Sequence, residues 1–245
     1  MAKASPDMTG APENALSAGL RASLLGFGAD LVGFGGLGEL PAKVREGLPV
    51  GVVVAVKIPP DIVRGISELP TMEYCQFYRR ANALLDQIVA RGAEYLIGLG
   101  FQAVAQTREK VGFGEKEDRT LLPHKTVATR AGLGWIGKCA LLVTEEHGSA
   151  VRLSSILTDA PLTLGAPVNV SRCAGCSVCR DACLAKAVSG KSWSPELRRE
   201  DFFDATLCRR TAEERSFLGF GGGDTICGKC VEVCPRTRRA MKGAV

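Results

Sequence analysis

Cys173-Ala-Gly-Cys176-Ser-Val-Cys179-Arg-Asp-Ala-Cys183 and, further along, Cys227-Gly-Lys-Cys230-Val-Glu-Val-Cys234-Pro235 are the stretches on which the reading of this chain turns. The first run, with gaps of two, two and three residues, has the spacing of bacterial ferredoxins, in which three thiolates wrap one iron–sulfur cluster and the fourth crosses to another. The second run repeats the three-ligand end of that motif, and Cys208, standing apart, supplies an eighth thiol. Under the crossover rule Cys173, Cys176 and Cys179 share a [4Fe–4S] cluster with Cys234, while Cys183 joins Cys208, Cys227 and Cys230 around a second. Leu184 follows the first run where a proline is usual. Zinc is the competing reading, since it too takes four thiolates, but normally from two separated pairs. Three cysteines at consecutive two-residue gaps suit a cubane better, and two clusters in one small region imply stepwise one-electron transfer.

Outward from the cysteines, the 245-residue chain is 46% hydrophobic and 23% charged, which excludes disorder as its main state. Its longest apolar runs, such as Val50 to Val56, fall far short of the roughly 20 residues that span a bilayer, so no membrane helix is expected. Met1 to Pro12 has neither an apolar stretch nor a twin arginine, and the expected location is the cytoplasm. A reducing compartment disfavours a disulfide framework and leaves metal binding or catalysis to explain ten cysteines. The two not assigned to a cluster, Cys75 and Cys139, read as small buried side chains. The formal charge of +5 falls to about +1 once two clusters of roughly −2 each are counted, so charge gives no argument for nucleic acid.

The patterning changes near residue 165, which divides the chain into a flexible start (1–12), a strand-and-helix domain (13–165) and a cysteine-rich domain (166–245). In the first domain we expect helices over Glu13–Leu25 and Met72–Leu99, the latter carrying apolar residues at three- and four-residue spacing. Strands are expected over Ala29–Phe34, Val50–Ile58 and Phe101–Gln106, and a short helix around Lys125–Ala131. A hairpin is expected to pair Ala140–Thr144 with Val151–Thr158. The fold class is α+β, a mixed α/β domain followed by a cluster domain.

Two glycine-rich stretches imitate nucleotide sites. Gly132-Leu-Gly134-Trp-Ile-Gly137-Lys138-Cys139 satisfies G-x-G-x-x-G and nearly satisfies a P-loop, but a helix precedes it and a strand follows, the reverse of what those motifs need. Gly33-Phe-Gly-Gly-Leu-Gly38 has the better order but leaves little room for a crossover helix.

The stretch Pro123-His-Lys-Thr-Val-Ala-Thr-Arg-Ala-Gly-Leu-Gly-Trp-Ile-Gly-Lys138, with the leading Gly-Ala-Asp-Leu-Val-Gly-Phe34 and the two cysteine runs behind it, resembles epoxyqueuosine reductase, a family related to the reductive dehalogenases. The resemblance covers most of the chain. It implies a nitroreductase-like domain followed by a ferredoxin-like domain, with a corrinoid (cobalamin) beside the inner cluster. It also implies that Gly132, Gly134, Trp135, Gly137 and Lys138 contact that cofactor. The family's proton-donating aspartate falls at Asp118 by ungapped counting, and His124 is the second candidate acid because imidazole titrates near neutrality. His147, in the expected turn, reads as exposed and unemployed. The family members that act on transfer RNA continue into a helical-repeat domain, whereas this chain ends soon after Cys234, so a short form is expected. The basic tail, Arg236, Arg238, Arg239 and Lys242, reads as solvated, with tRNA a doubtful partner.

The functional expectation is a reductase in which reduced ferredoxin or flavodoxin feeds two [4Fe–4S] clusters in turn, and these reduce a bound corrinoid for chemistry on a small or nucleoside-type substrate. The alternative is a ferredoxin-type electron carrier, or a reductive activator of a separate corrinoid protein. A flavin in the first domain is a third possibility.

Overall fold

The computed structural model describes residues 12–111 and 120–242. In chain order the elements are α1 (Ala15–Gly26), β1 (Leu31–Gly36), β2 (Val50–Lys57), α2 (Pro60–Gly65), α3 (Met72–Gly98), β3 (Ala103–Gln106), α4 (Arg108–Val111) and α5 (His124–Arg130). They continue with β4 (Trp135–Ile136), β5 (Leu142–Val143), β6 (Val151–Thr158), α6 (Val178–Asp181), a 3-10 turn (Arg199–Asp201), α7 (Ala205–Phe220), α8 (Lys229–Glu232) and α9 (Pro235–Lys242).

The helix starts follow from their caps. Asn14 accepts the Ser17 amide at the head of α1, Thr71 accepts that of Tyr74 at the head of α3, and Asp204 accepts that of Leu207 at the head of α7. The long α3 buries Ala81, Leu85, Ile88, Val89 and Leu96 along one stripe. That stripe, with Leu20 and Leu24 of α1, covers one face of a four-stranded sheet through Val32, Phe34, Val52, Val54 and Ile156. The other face carries Val53, Leu153 and Leu157 and packs against Val127 and Ala128 of α5. Even and odd residues of β2 thus meet different layers, as the two-residue period of a strand requires.

The sheet has the order β1-β2-β6-β3, and every neighbouring pair is antiparallel. A nucleotide fold at Gly33–Gly38 is therefore ruled out, since β1 returns directly to β2 without a crossover helix. The glycine there serves packing: a Cβ on Gly35 would stand 2.6 Å from the Ala131 amide nitrogen at the end of α5.

The expected hairpin of residues 140–144 with β6 does not form. β6 is an eight-residue strand inside the sheet, paired along its length with β2 and over Ser155–Thr158 with β3, and β5 pairs instead with Trp135–Ile136 through the turn at Gly137–Leu141. Two hydrophobic clusters draw side chains from both sides of residue 165. Ile66, Tyr74 and Ala150 pack with Ile226 and Val231, and Ile136 and Ala140 pack with Trp193 and Phe202.

Candidate cluster-binding site

Both cysteine runs use the same local device. Ala174 follows Cys173 and Gly228 follows Cys227, each with positive φ (46° and 73°), and a one-turn helix, α6 or α8, comes next. A left-handed residue in a tight turn aims successive backbone N–H groups at a common point, the concave arrangement that receives anionic clusters. The seven cysteines of the runs and Cys208 are all half-buried thiols.

Cys208 of α7 lies close to Cys183 of the first run and Cys227 of the second. Burial, with the nearby Cys227 and Cys183, pushes the Cys208 thiol up to about 11. Tyr74 of α3 stands against Cys230 and Cys227 and is itself pushed up to about 12 by burial. Two thiols of the first run lie against the β4–β5 hairpin. Cys173 Sγ lies 3.7 Å from where a Cβ on Gly137 would be, and Cys179 lies against the buried Cys139. Lys138, buried in the same turn, donates from Nζ to the carbonyls of Ala174 and Cys176, both at 2.9 Å. Arg172, before Cys173, and Arg236, after Cys234, approach the Trp135 ring at 5.6 and 5.4 Å, and each also binds Glu145 at 3.2 Å. Both ends of the cysteine region are thereby tied to one hairpin. Among the described residues no three His, Cys, Asp or Glu side chains converge on a single-ion site. A cubane asks for something different, one thiolate on each of four irons.

The stretch expected to contact a corrinoid is closed by its own packing. A Cβ on Gly132 would come 2.7 Å from the Ala166 carbonyl oxygen, and one on Gly134 would come 2.1 Å from that of Val143. Trp135 is fully buried, and Lys138 is spent on the cysteine loop. These residues face protein, and their glycines serve a tight turn that braces the first cysteine run. Trp135 Nε1 is buried without a protein partner, which leaves one donor free beside the arginines that flank Cys173 and Cys234.

Of the candidate acids, Asp118 lies outside the described residues. His124 begins α5 with Nδ1 2.9 Å from Ser155 Oγ, and burial, helped by the Arg152 charge, lowers its pKa to about 4. It is neutral at pH 7, a poor proton donor there. Its neighbour Lys125 was not singled out in the sequence. Its Nζ donates to the Ala140 carbonyl at 2.7 Å, and burial, with Arg199 nearby, brings it down to about 8. The signal available was its place one residue beyond His124 on a helix aimed at the glycine turn. His147 is half-buried rather than exposed, because its turn folds in beside Asp30 and Lys57. The basic tail is also more engaged than expected: Arg236 binds Glu145 and Arg238 binds Glu232.

No protein-family model matches the chain. It is 33% identical over 173 residues to an epoxyqueuosine reductase of Synechococcus sp., covering 66% of this chain and 48% of that protein. It is 35% identical over 135 residues to one of Pseudomonas aeruginosa, covering 53% and 36%. The chain thus spans about half or less of the length of these curated relatives. Among solved structures it aligns with an epoxyqueuosine reductase holding an epoxyqueuosine-modified tRNA-Tyr stem loop, with TM-score 0.62 and 20% identity, over 91% of this chain and 65% of that one. It aligns with a catabolic reductive dehalogenase in complex with 3-bromo-4-hydroxybenzoic acid at TM-score 0.65 and 18% identity, over 89% and 31%. No helix among the described residues is long and apolar enough to cross a membrane. The chain is a sequence relative of the epoxyqueuosine reductases, with a mixed α/β fold like theirs and that of the reductive dehalogenases.

Proposed function

We propose that the chain is an iron–sulfur oxidoreductase that holds two [4Fe–4S] clusters, one on Cys173, Cys176, Cys179 and Cys234, the other on Cys183, Cys208, Cys227 and Cys230, in a ferredoxin-like domain behind a nitroreductase-like one. The observation that carries this reading is the approach of Cys183, Cys208 and Cys227, three thiols distant in sequence that the crossover rule assigns to one site. The left-handed turns after Cys173 and Cys227 and the orphaned Trp135 Nε1 fit anionic groups at both places. When bound, two such clusters pass electrons one at a time. The protein's own part is to fix the first run through the Lys138 clamp and to limit water with the shared hydrophobic clusters. Electrons would come from an external reduced carrier of the ferredoxin or flavodoxin kind.

A corrinoid is implied by the relatives, one solved dehalogenase being described in terms of B12-dependent dehalogenation. The residues expected to line it here do not fit that role, since Gly132 and Gly134 meet backbone and Gly137 meets the Val143 side chain. That closure favours a second reading, in which the chain delivers electrons to another protein. Asp118 remains our proposed proton donor for a reductive reaction, and Lys125 replaces His124 as the second, because it alone of the pair carries a proton near neutrality.

Anaerobic reconstitution tests the core of the proposal, with iron and sulfide expected near eight each per chain. Titration with cob(II)alamin under EPR then separates the readings. A base-off cobalt signal saturating at one equivalent supports a corrinoid enzyme, and an unchanged cobalt signal beside intact clusters supports the electron carrier. Iron that stays far below eight overturns both.

A further inference from the structure

Directly after Cys234 the chain enters α9, and the residues of that helix divide by side. Thr237 is fully buried and holds the helix down. Its Oγ1 accepts the Ser149 amide at 3.0 Å, and a Cβ on Gly148 would come 2.3 Å from the Thr237 amide nitrogen. Arg239 and Lys242 fall about 200° and 140° round the helix from Thr237, on the side that faces solvent. Both are exposed, and neither has an acidic partner among the described residues. Arg238, Lys242 and Arg64 of α2 line one groove with Met241, and Glu232, the acid of that groove, is already bonded to Lys229 and Arg238. Nearer the cysteines, Arg172 and Arg236 stand over the Trp135 ring and share the two carboxylate oxygens of Glu145. Cations thus outnumber acids around Cys173 and Cys234.

We propose that this basic corner, α9 together with Arg172, is the docking surface for an acidic one-electron carrier protein that feeds the cluster on Cys173, Cys176, Cys179 and Cys234. The inference rests on the two-cluster reading. A carrier must bring its redox centre close to a cluster, and Arg172 and Arg236 stand one residue before Cys173 and two after Cys234. A nucleic acid has no such need, so the position favours a redox partner. In the transfer one electron leaves the carrier's reduced centre and enters the cluster. The carrier is oxidised by one electron and the cluster reduced by one, with no bond made or broken. A patch of one sign steers an oppositely charged partner into encounter, and at low salt this raises association rates by roughly ten- to a thousandfold. Encounters between redox proteins are small and transient, which suits a carrier that must leave after each electron. The buried Thr237 anchor presents the charges of α9 on a fixed frame, so little ordering is needed on docking.

The test mixes the anaerobically reconstituted full chain with a reduced [2Fe–2S] ferredoxin of strongly acidic composition and measures the second-order rate of electron transfer across a range of salt. Arg239→Glu with Lys242→Glu reverses the exposed side of α9, and Arg239→Gln with Lys242→Gln neutralises it. Lys43→Glu with Arg91→Glu makes the same change of charge at the exposed β1–β2 turn and on the far half of α3. Arg172 and Arg236 are left alone, because they brace Trp135 beside the ligands. Iron is counted first, and reduction by dithionite, which needs no docking surface, should be alike in all four proteins. The wild-type rate should fall as salt rises. At low salt the reversed pair should be slower by about tenfold and nearly indifferent to salt, the neutralised pair should lie between, and the remote pair should stay within about twofold of the wild type. An unchanged rate in the reversed pair would overturn the proposal, and so would an equal loss in the remote pair, which would report net charge alone. Binding of an RNA stem loop that the reversal abolishes, with the ferredoxin rate untouched, would overturn it in favour of a nucleic-acid face. Should the two-cluster reading itself be wrong, the wild type would fall short of about eight irons before any variant is made. Should only the docking surface be wrong, all four proteins would carry the same iron and share one rate.

Discussion

Substituting His124 by Gln should flatten the dependence of stability on pH. His124 sits between α5 and β6, touching Ser155, and burial with the Arg152 charge holds its pKa at about 4, against roughly 6.5 in an unfolded chain. Between these values the unfolded state binds a proton that the folded state refuses, so stability is full above about pH 6.5 and is lost as the pH falls toward 4. At one pKa unit per 1.36 kcal/mol, the wild type should lose about 2 kcal/mol between pH 7.5 and pH 5 through this residue alone. His124→Gln has no such titration, and its amide can still bond to Ser155. The assay is urea unfolding of the cluster-loaded protein under anaerobic conditions at both pH values, followed by the fluorescence of Trp135 and Trp193. Acid damage to the clusters is common to both proteins and cancels in the comparison. Parallel losses in wild type and variant would refute the reasoning, because they would mean that His124 is protonated as easily in the fold as out of it.

Three further outcomes are expected. Lys138→Met should remove two hydrogen bonds from a buried ammonium to the carbonyls of Ala174 and Cys176, costing about 1.5–3 kcal/mol, visible as a lower urea midpoint; an unchanged midpoint would mean that the clamp does not hold the loop. Gly134→Ala puts a Cβ 2.1 Å from the Val143 carbonyl oxygen, so the β4–β5 hairpin must open, and a loss of about 1–3 kcal/mol in unfolding experiments is expected where an open cofactor face would show none. Cys183→Ser and Cys208→Ser should each lower iron from about eight to about four per chain, and the double variant should go no lower, because the two thiols serve one site; a double variant near zero would separate them.

Much of this molecule is legible in the sequence because its strongest signals are local. The period of Ala81, Leu85, Ile88 and Val89 gives α3 almost to the residue, and the β-branched run at Val50 gives β2. The cysteine spacing is legible for the same reason, since a loop wrapped around a cluster dictates its own gaps. What stays hidden is what depends on partners distant in sequence. Val151–Thr158 reads equally well as a hairpin arm or as a central strand, and only the unsatisfied edges of β2 and β3 decide between them. The glycines at 132 and 134 look the same whether they face a macrocycle or the backbone of Ala166 and Val143. The burial of His124 likewise arises from tertiary packing, which periodicity does not report.

The meeting of Cys183, Cys208 and Cys227 also sets an order of events during synthesis. Cys227 follows Cys183 by 227 − 183 = 44 residues, so at roughly 5–20 residues per second the earlier thiol waits about 2–9 s before its partner is even made. Until then the first run is an incomplete set of exposed thiols, open to oxidation or to the wrong metal. The protein therefore depends on its cell to keep those thiols reduced for seconds, and a fragment ending anywhere before α8 should emerge without the second site.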